Sequence, residues 1–490
     1  MAIENSTTRW ISKRGWNRVV LTVALAAGSI CLWTLAVPGA HAQTWTWIKG
    51  TNSIDPSGVY GTQGTAASAN TPGGRDSGMT WKGSGGALYL FGGKGLDSAG
   101  DDGKLNDMWV YSASSGQWTW LKGAKTIMQG GTYGTVETPD PANTPGARVD
   151  AMTWTGKDGR FYLFGGEGYD SAGESGWLND VWRYDPGTNQ WTWLKGADTR
   201  DEYGTYGTQG TPDSANTPGG RLSASAWTYG DGKFYLFGGQ GFNDTGNYGD
   251  LNDVWRYDPV TNQWTWLNGT TAVDQNGIYG TPGIPAPDNI PGSREQCASW
   301  LGRDGFLYLF GGYGLDNVGN RGWLNDLWRY NVTTNQWTWL TGPDVIGQAG
   351  TYGTLLRPAS DNTPGARRAA MAWTSVDGSL YLFGGDGYDS TGGRSWLNDV
   401  WKYAPPVNLW IWMKGSNECD ESAVYGTRGT PSPDNISGAR HLGMTWTDTA
   451  GVFYLFGGEG YNGAASYGRL NDLWRIRLRP SGAGDAWLLY

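Results

Sequence analysis

Histidine and cysteine are scarce in this sequence, whose 490 residues include two His and three Cys. Three cysteines exclude a framework of several disulfides, and a zinc site would need nearly every Cys and His at once. We therefore expect no metal site and no cofactor. Charge is also scarce, with 17% charged residues and a net charge of −9. Because phosphate contacts need a surface rich in Lys and Arg, we expect no nucleic-acid partner.

Glycine and tryptophan are abundant instead, with 81 Gly and 31 Trp. Each glycine destabilises a helix interior by about 1 kcal/mol, so the composition argues against a helical protein. The aromatic content argues against a disordered chain, and collagen would need glycine at every third residue. Many short strands joined by tight turns fit the composition better. Length alone would suggest two to four domains.

The first 42 residues differ from the rest of the chain. Four basic residues precede the apolar run 19–37, and Ala40-His41-Ala42 follows it. This order is typical of a secretory signal peptide that is cleaved after Ala42. The alternative is an uncleaved anchor, because the apolar run approaches the roughly 20 residues that span a bilayer. We expect a secreted, periplasmic or cell-surface protein without a membrane span after cleavage.

One block of sequence recurs six times at an interval of 73 residues. The motifs Leu-Phe-Gly-Gly, Leu-Asn-Asp-x-Trp and Trp-x-Trp all keep this interval. A repeated arginine keeps it as well, at Arg75, Arg148, Arg221, Arg294, Arg367 and Arg440. Six copies without insertion or deletion between the landmarks indicate a repeat architecture.

Each repeat contains four strand-like stretches, which we name strands a, b, c and d. In the second repeat they cover residues 148–154, 161–164, 181–184 and 191–194. The a–b and c–d connections are short and contain the Gly and Asn typical of turns. Four antiparallel strands repeated six times predict an all-β fold, a six-bladed β-propeller that spans residues 43–490.

The repeats resemble those of the kelch family. The resemblance rests on the Arg that opens strand a, the double Gly that ends strand b, Asn-Asp-x-Trp-x-Tyr in strand c and the Trp of strand d, over residues 43 to about 478. It implies a propeller of six or seven blades with one blade per repeat. These repeats are longer than the kelch length of about 50 residues. The extra residues lie between strand d and the next strand a, where Tyr-Gly-Thr recurs, so we expect an ordered link packed on its own blade or the next.

The two ends of the chain indicate how the ring closes. Trp45 and Trp47 form a Trp-x-Trp motif before any strand a, and the last repeat has no such motif after Trp474. We therefore expect residues 43–50 to supply strand d of the last blade, which would remove open sheet edges. The alternative is that residues 486–490 form this strand.

Strand direction places the long b–c and d–a links on the same face, a usual geometry for binding. The residue directly after each repeated Arg varies in charge and size. Four of these residues are our candidate ligand-binding residues at the mouth of the axial channel: Asp76, Glu295, Arg368 and His441. Ordinary surface variation is the alternative explanation, and the residues alone favour it. The six repeated arginines are expected to be structural and to hold carbonyls or the Asp of Leu-Asn-Asp, with an anion-binding ring as the alternative.

Three further sets of residues stand out in the repeats. Cys297 occupies a position that is small in every repeat, so we interpret it as a core residue rather than a reactive thiol. Trp177, Trp323 and Trp396 precede Leu-Asn-Asp in only three repeats. The b–c loops carry aspartates that cap turns more naturally than they bind calcium: Asp97, Asp170, Asp244, Asp316 and Asp389.

These observations favour a monomeric extracytoplasmic protein that binds a protein or glycan ligand through its long loops. The alternative comes from the resemblance, because secreted bacterial kelch propellers include a sialic acid epimerase. For that reaction, Glu295 with His441 or Arg368 would be the acid/base pair. A kelch oxidase of the galactose oxidase type is excluded, because its copper site needs two His and residues 43–490 contain only His441. We assign no catalytic residue, because six similar loops fit a binding surface better than a single active site.

Overall fold

The structure is a computed structural model, and it describes residues 43–478. The expected signal peptide, residues 1–42, and the alternative closing segment, residues 486–490, lie outside this range. Within the range, strands are the dominant element, and the one helical element is a 3₁₀ turn at Ser84–Gly86. No helix in residues 43–478 is long and apolar enough to cross a membrane.

Thirty-six strands form six antiparallel blades, which confirms the six-bladed propeller. The chain begins with a strand that joins the last blade, β1 (Thr44–Lys49). Blade 1 contains β2 (Arg75–Asp76), β3 (Met79–Lys82), β4 (Leu88–Leu96), β5 (Asp102–Ser112) and β6 (Gln117–Lys122). Blade 2 contains β7 (Arg148–Val149), β8 (Met152–Thr155), β9 (Phe161–Phe164), β10 (Glu167–Tyr169), β11 (Ser175–Trp177), β12 (Val181–Asp185) and β13 (Gln190–Lys195).

Blades 3 and 4 repeat this arrangement. Blade 3 contains β14 (Arg221–Leu222), β15 (Ser225–Thr228), β16 (Phe234–Phe237), β17 (Gln240–Phe242), β18 (Tyr248–Asp250), β19 (Val254–Asp258) and β20 (Gln263–Asn268). Blade 4 contains β21 (Arg294–Glu295), β22 (Ala298–Leu301), β23 (Leu307–Leu315), β24 (Arg321–Asn331) and β25 (Gln336–Thr341).

Blades 5 and 6 complete the ring. Blade 5 contains β26 (Arg367–Arg368), β27 (Met371–Thr374), β28 (Leu380–Tyr388), β29 (Arg394–Ala404) and β30 (Leu409–Lys414). Blade 6 contains β31 (Arg440–His441), β32 (Met444–Thr447), β33 (Phe453–Phe456), β34 (Glu459–Tyr461), β35 (Tyr467–Arg469) and β36 (Leu473–Arg477). At one end of each blade, the second half of strand b pairs with the first two residues of strand a on one side and with the first half of strand c on the other. This small extra sheet is separate in blades 2, 3 and 6 and continuous with the main sheet in blades 1, 4 and 5.

The N-terminal strand closes the ring, as the sequence predicts. Strand β1 pairs antiparallel with β36, with Trp45 opposite Ile476 and Trp47 opposite Trp474. The Asn435 side-chain amide donates to the Trp45 carbonyl at 3.1 Å. Trp45 is 0% exposed. It therefore occupies the place that the first Trp of strand d takes in the other blades.

The core lies between neighbouring blades. The Trp81 indole nitrogen donates across the blade boundary to the Tyr162 carbonyl at 3.1 Å. Trp191 of strand d packs on Phe91 of the preceding blade, with ring centroids 5.3 Å apart. Such aromatic pairs bury large apolar areas in a defined geometry. The Trp excess is therefore used to hold one blade against the next.

A buried arginine–aspartate pair recurs in every blade, and blade 2 shows its contacts. Arg148 donates from Nη1 to Asp180 Oδ1 at 2.7 Å and from Nη2 to Oδ2 at 2.8 Å. Asp180 Oδ2 also accepts from the Tyr133 hydroxyl at 2.8 Å and from Trp182 Nε1 at 2.6 Å. Both charged side chains are 0% exposed. The equivalent pairs are Arg75–Asp107, Arg221–Asp253, Arg294–Asp326, Arg367–Asp399 and Arg440–Asp472.

The long d–a link packs on the blade that follows it, one of the two arrangements that we expected. Gly131 donates its N–H to the Asp170 carbonyl in the b–c loop of blade 2 at 2.9 Å. Farther along, the Asn143 amide donates to the Trp191 carbonyl at 3.3 Å. The link therefore crosses the face of the b–c loops and then covers the outer edge of strand d, where exposed backbone would otherwise invite pairing.

A ring of six backbone hydrogen bonds surrounds the propeller axis. In each blade, the second residue after the repeated Arg donates its N–H to the matching carbonyl of the neighbouring blade, at 2.8–3.2 Å. All six residues have positive φ, and none is glycine: Ser77, Asp150, Ser223, Gln296, Ala369 and Leu442. The ring borders a cavity of about 210 Å³. We call this ring the neck of the channel.

Closure by β1 predicts equal effects for two tryptophans at opposite ends of the chain. Trp45→Ala should destabilise the protein by about 3–5 kcal/mol, because it removes a fully buried indole. Trp191→Ala is the matched control, because Trp191 takes the same place in blade 2 and is also 0% exposed. Urea denaturation followed by circular dichroism measures both losses. A Trp45→Ala protein as stable as wild type, beside a destabilised Trp191→Ala protein, would contradict closure by the N-terminal strand.

Candidate functional site

The small extra sheets place three side-chain positions of each blade beside one another at one mouth of the channel. In blade 5, Arg368 lies opposite Asp386, and Asp386 lies opposite Trp396. Directly opposed residues share one face of a sheet. From blade 1 to blade 6, the three positions hold Asp76, Lys94 and Lys104; Val149, Glu167 and Trp177; Leu222, Gln240 and Asp250; Glu295, Tyr313 and Trp323; Arg368, Asp386 and Trp396; His441, Glu459 and Arg469.

The four candidate residues lie on consecutive blades, because blade 6 adjoins blade 1. Glu295 Oε1 and Arg368 Nη1 are 3.9 Å apart. Arg368 also donates from Nε to Asp386 Oδ2 at 3.1 Å. His441 and Asp76 have different partners. We call Asp76, Glu295, Arg368 and His441 the axial site.

Asp76 and His441 are each held by blade 6. Arg469 donates from Nε to Asp76 Oδ2 at 2.7 Å, so this carboxylate is paired across the blade boundary. His441 Nε2 lies 3.7 Å from Glu459 Oε2. The His441 ring stacks on Trp396, with centroids 5.8 Å apart and planes 12° apart. Glu295 and Arg368 thus lie next to each other, whereas Asp76 contacts Arg469 and His441 contacts Glu459.

Burial shapes the charge of the axial site. Asp76 is 5% exposed and Glu295 is 7% exposed. Loss of solvent raises the pKa of the Glu295 carboxyl, although Arg368 and Arg321 oppose the shift. Burial likewise lowers the pKa of His441, which favours the neutral imidazole, and Glu459 and Asp386 oppose this. Among residues 43–478, His441 Nδ1 has no hydrogen-bond partner. The site therefore contains a carboxyl and an imidazole whose protonation is set by burial.

The three tryptophans that occur in only some repeats all lie at this mouth, at equivalent positions in blades 2, 4 and 5. Trp323 Nε1 donates to Asp386 Oδ2 at 3.3 Å, and the Arg394 guanidinium lies 4.2 Å from the Trp323 ring centroid. Trp396 stacks on Tyr467 at 4.3 Å as well as on His441. Aromatic rings therefore lie beside paired charges on blades 4 and 5 of the mouth.

Two of the three positions that face this mouth were not predicted from the sequence to bind a ligand. The sequence pointed to the residue after the repeated Arg and set apart the three tryptophans of strand c, but it did not point to the partners in strand b, such as Asp386 and Glu459. These positions also vary among otherwise similar repeats. The same signal, variation at a fixed place in the 73-residue repeat, could have found them.

The neck contributes one further acidic group below the mouth. Asp150 lies in the neck, and burial raises its pKa to about 7, with smaller contributions from Asp76, Glu295 and Glu167. A hydrogen bond from Ser77 acts in the opposite direction. Like charges near one another favour the protonated acid. The mouth therefore surrounds a carboxyl that takes up a proton near neutral pH.

The b–c loops contain capping residues, and in blade 3 the cap differs from the residue predicted from the sequence. Asp170 Oδ1 accepts backbone N–H groups of Ala172 and Glu174, both at 2.9 Å. In blade 3, Asn243 takes this role and accepts from the backbone of Asn247 at 2.8 Å. Asp244 is therefore not the cap, because it lies one residue beyond the equivalent position and is exposed. Residues 43–478 contain no group of three or more His, Cys, Asp or Glu residues placed to hold a metal ion.

Both cysteines in residues 43–478 are free thiols. Cys297 donates from Sγ to the Gly311 carbonyl at 3.2 Å. Burial raises the pKa of Cys297 to about 12, so the thiol stays protonated and is a poor nucleophile. Cys297 thus behaves as a small packed residue beside the neck.

Comparison with known proteins agrees with this architecture. A model of the KLHDC2/KLHL20/DRC7 Kelch-repeats domain matches residues 62–268, and a model of the Kelch motif matches residues 301–344. A solved structure titled "Structure of YjhT" superposes with a TM-score of 0.51 at 18% identity, over 84% of this chain and 97% of that one. The chain belongs to the kelch-repeat family.

Three curated relatives are similar over parts of their length. N-acetylneuraminate epimerase of Yersinia enterocolitica is 32% identical over 25% of this chain and 34% of its own length. Kelch-like protein terF of Aspergillus terreus is 27% identical over 49% of this chain and 43% of its own. Kelch domain-containing protein 1 of Mus musculus is 28% identical over 62% of this chain and 60% of its own. The chain thus spans between a third and three fifths of the length of these relatives.

The raised pKa of Asp150 predicts a pH-dependent stability. The folded protein holds a proton that the unfolded chain releases above about pH 4, so this residue lowers stability as pH rises from about 4 to about 7. Asp150→Asn should therefore gain stability relative to wild type over that range, as measured by urea denaturation at pH 4, 6 and 8. The control is Asp231→Asn, an exposed aspartate in a turn at the opposite face. A difference between Asp150→Asn and wild type that stays constant with pH would contradict the assignment.

Proposed function

We propose that this protein is an extracytoplasmic kelch propeller that binds a glycan at the axial site. The observation that supports the proposal most strongly is a contrast between two sets of residues. The repeated Arg–Asp pairs inside the blades, which we call the frame, are constant, whereas the residues at the mouth vary. The Arg–Asp pairs recur in all six blades, whereas Asp76, Glu295, Arg368 and His441 differ from blade to blade and lie on consecutive blades. A single asymmetric set on a symmetric frame is what recognition of one ligand requires.

The chemistry of the mouth suits a carbohydrate. Sugars present hydroxyl groups to planar polar side chains and apolar C–H faces to aromatic rings. Glu295 and Arg368 supply the polar groups, and Trp396 supplies a ring that lies beside His441. The Arg368 guanidinium lies 5.4 Å from the Tyr313 ring centroid, so charge and aromatic surface meet there. A carboxylate on the sugar would suit Arg368, because a guanidinium group can hold a carboxylate with two parallel hydrogen bonds.

Two further parts of the proposal concern the location and state of the protein. Residues 1–42 carry the features of an export signal, so we place the glycan-binding propeller outside the cytoplasm as a monomer. Export with cleavage after Ala42 would leave β1 directly at the mature terminus. N-terminal sequencing of the protein recovered outside the cytoplasm should begin at Gln43, and an intact Met1 would contradict cleavage.

A second candidate function is a sugar epimerase. The observation that favours it is the placement of two titratable groups on either side of Arg368, the Glu295 carboxyl with its raised pKa and His441 with its lowered pKa. Such a pair could exchange protons with a bound sugar. Local similarity to an N-acetylneuraminate epimerase supports the same idea.

The test is a glycan array probed with the purified protein, in wild-type form and as Glu295→Gln. Loss of a charged hydrogen bond costs about 1.5–3 kcal/mol, so bound signal should fall by about tenfold or more. Glu137→Gln is the matched control, because Glu137 is exposed on the outer link, and its binding should equal wild type. Equal binding by Glu295→Gln and wild type would contradict the axial site.

The same proteins distinguish the other functions. Incubation with N-acetylneuraminate anomers and epimers, followed by proton NMR, would reveal turnover. Turnover that disappears in Glu295→Gln would replace the binding function with the epimerase. Absence of any glycan or sugar response would reject both carbohydrate functions and leave a protein ligand.

A further inference from the structure

A second aromatic cluster lies at the same mouth, on blades 2 and 3. Trp177 packs against Tyr248 with ring centroids 4.7 Å apart, and Phe242 lies 5.5 Å from Tyr248. Tyr203 extends the cluster, 5.8 Å from Phe242. Tyr203 is 55% exposed and Tyr248 is 42% exposed. We call Trp177, Tyr203, Phe242 and Tyr248 the aromatic platform.

The platform carries an unsatisfied donor beside exposed rings. Trp177 Nε1 is buried and has no hydrogen-bond acceptor among residues 43–478. Seven other indole nitrogens in the described range also lack an acceptor, but those tryptophans are at most 4% exposed, whereas Trp177 lies beside exposed rings, where an acceptor from outside can reach it. The equivalent nitrogen of Trp323 has its acceptor, Asp386, at 3.3 Å. Trp177 and Trp323 therefore occupy equivalent positions in their blades, but only the Trp177 N–H lacks an acceptor within the described residues.

The blade does not need a tryptophan at this position. The equivalent residues are Lys104 in blade 1, Asp250 in blade 3 and Arg469 in blade 6. The Trp177 ring therefore serves something other than the repeated frame. Exposed aromatic surface that the fold does not require marks an interaction site.

Polar groups continue along the edge of the platform. The Tyr248 hydroxyl donates to Gln240 Oε1 at 2.5 Å, and Gln240 Nε2 donates to Asp250 Oδ1 at 3.3 Å. Asp250 Oδ2 in turn accepts from Arg321 Nη1 at 2.7 Å. Each charge in this chain of contacts has a partner. The edge therefore offers hydrogen-bonding groups without an unpaired charge, which suits hydroxyl groups better than a charged partner.

The platform is continuous with the axial site through Glu295. Burial raises the pKa of Tyr248 to about 12 and that of Asp250 to about 7, and the nearby Glu295 carboxylate adds to both shifts. On its other side, Glu295 lies 3.9 Å from Arg368. Glu295 therefore stands between two regions that each combine aromatic rings with hydrogen-bonding groups.

We propose that the aromatic platform binds a second sugar ring, so that the ligand is an oligosaccharide extending from the axial site across Glu295 to Trp177. This inference rests on the proposed glycan-binding function and names its substrate class. The second ring buries its apolar face on the aromatic platform, including the exposed rings of Tyr203 and Tyr248, and one of its oxygens accepts from Trp177 Nε1. Neighbouring hydroxyl groups meet Gln240 and the Tyr248 hydroxyl at the edge of the platform.

The test is a glycan array of monosaccharides and linear chains of two to six sugars, both neutral and sialylated. Wild-type protein should bind chains at least about tenfold more tightly than the matching monosaccharides. Trp177→Ala and Tyr203→Ala should reduce binding of chains to the level of monosaccharides and leave monosaccharide binding within about twofold of wild type. Tyr203 is largely exposed, so its variant tests the platform even if Trp177→Ala folds poorly. Trp177→Phe keeps the ring and removes the N–H, so it should show an intermediate loss.

The outcomes separate this inference from the proposed function. If chains bind Trp177→Ala and Tyr203→Ala as tightly as wild type, while Glu295→Gln loses binding, the platform is not a sugar subsite and the axial site stands. Equal wild-type binding of monosaccharides and chains overturns the inference in the same way. If wild-type protein binds no glycan, the proposed function and the inference both fall. A protein ligand lost in Trp177→Ala, without any glycan binding, would make the platform a protein-docking surface.

Discussion

Each blade is organised around one buried carboxylate that accepts four hydrogen bonds. In blade 2, Asp180 receives two from Arg148, one from Tyr133 and one from Trp182. A charge with no exposure would be strongly unfavourable without such partners. These donors come from strand a, the long link and strand c. Asp180 therefore fixes strand a, the long link and strand c of its blade relative to one another. The hydrophobic core then holds neighbouring blades together.

This arrangement separates stability from recognition at neighbouring residues. The repeated Arg points into the blade, and the residue that follows it in the chain faces the mouth. The frame can therefore stay the same in all six blades while the mouth differs in every blade. The closed neck and the N-terminal strand hold the blades in one ring. The varying residues thus keep fixed places relative to one another, which recognition of one ligand needs.

The sequence predicted the parts of the molecule that repeat. Landmarks in phase at 73 residues indicated six blades, the position of Trp45 indicated the closure, and the variable residue after each Arg indicated the mouth. The neck was not predictable, because its six positive-φ residues include no glycine, and the tertiary contacts of the ring impose that conformation. The aromatic platform was not predicted either, because Tyr203 lies in a long link and Trp177 in strand c, and only folding brings both rings against Phe242. Asn243 differs by one residue from the expected Asp244 because an amide oxygen caps the loop as well as a carboxylate does.

Adjacent residues serve stability and recognition separately in this fold, so Arg367 and Arg368 allow the two roles to be measured side by side. Arg367 donates to Asp399 at 2.6 and 2.8 Å inside the blade, whereas Arg368 lies beside Glu295 at the mouth. Lysine keeps the charge but loses the paired geometry of the guanidinium. Thermal unfolding and glycan-array binding should be measured for Arg367→Lys and Arg368→Lys. We expect a lower melting temperature with retained binding for Arg367→Lys, and an unchanged melting temperature with weakened binding for Arg368→Lys. Two variants that lose stability and binding together would contradict it.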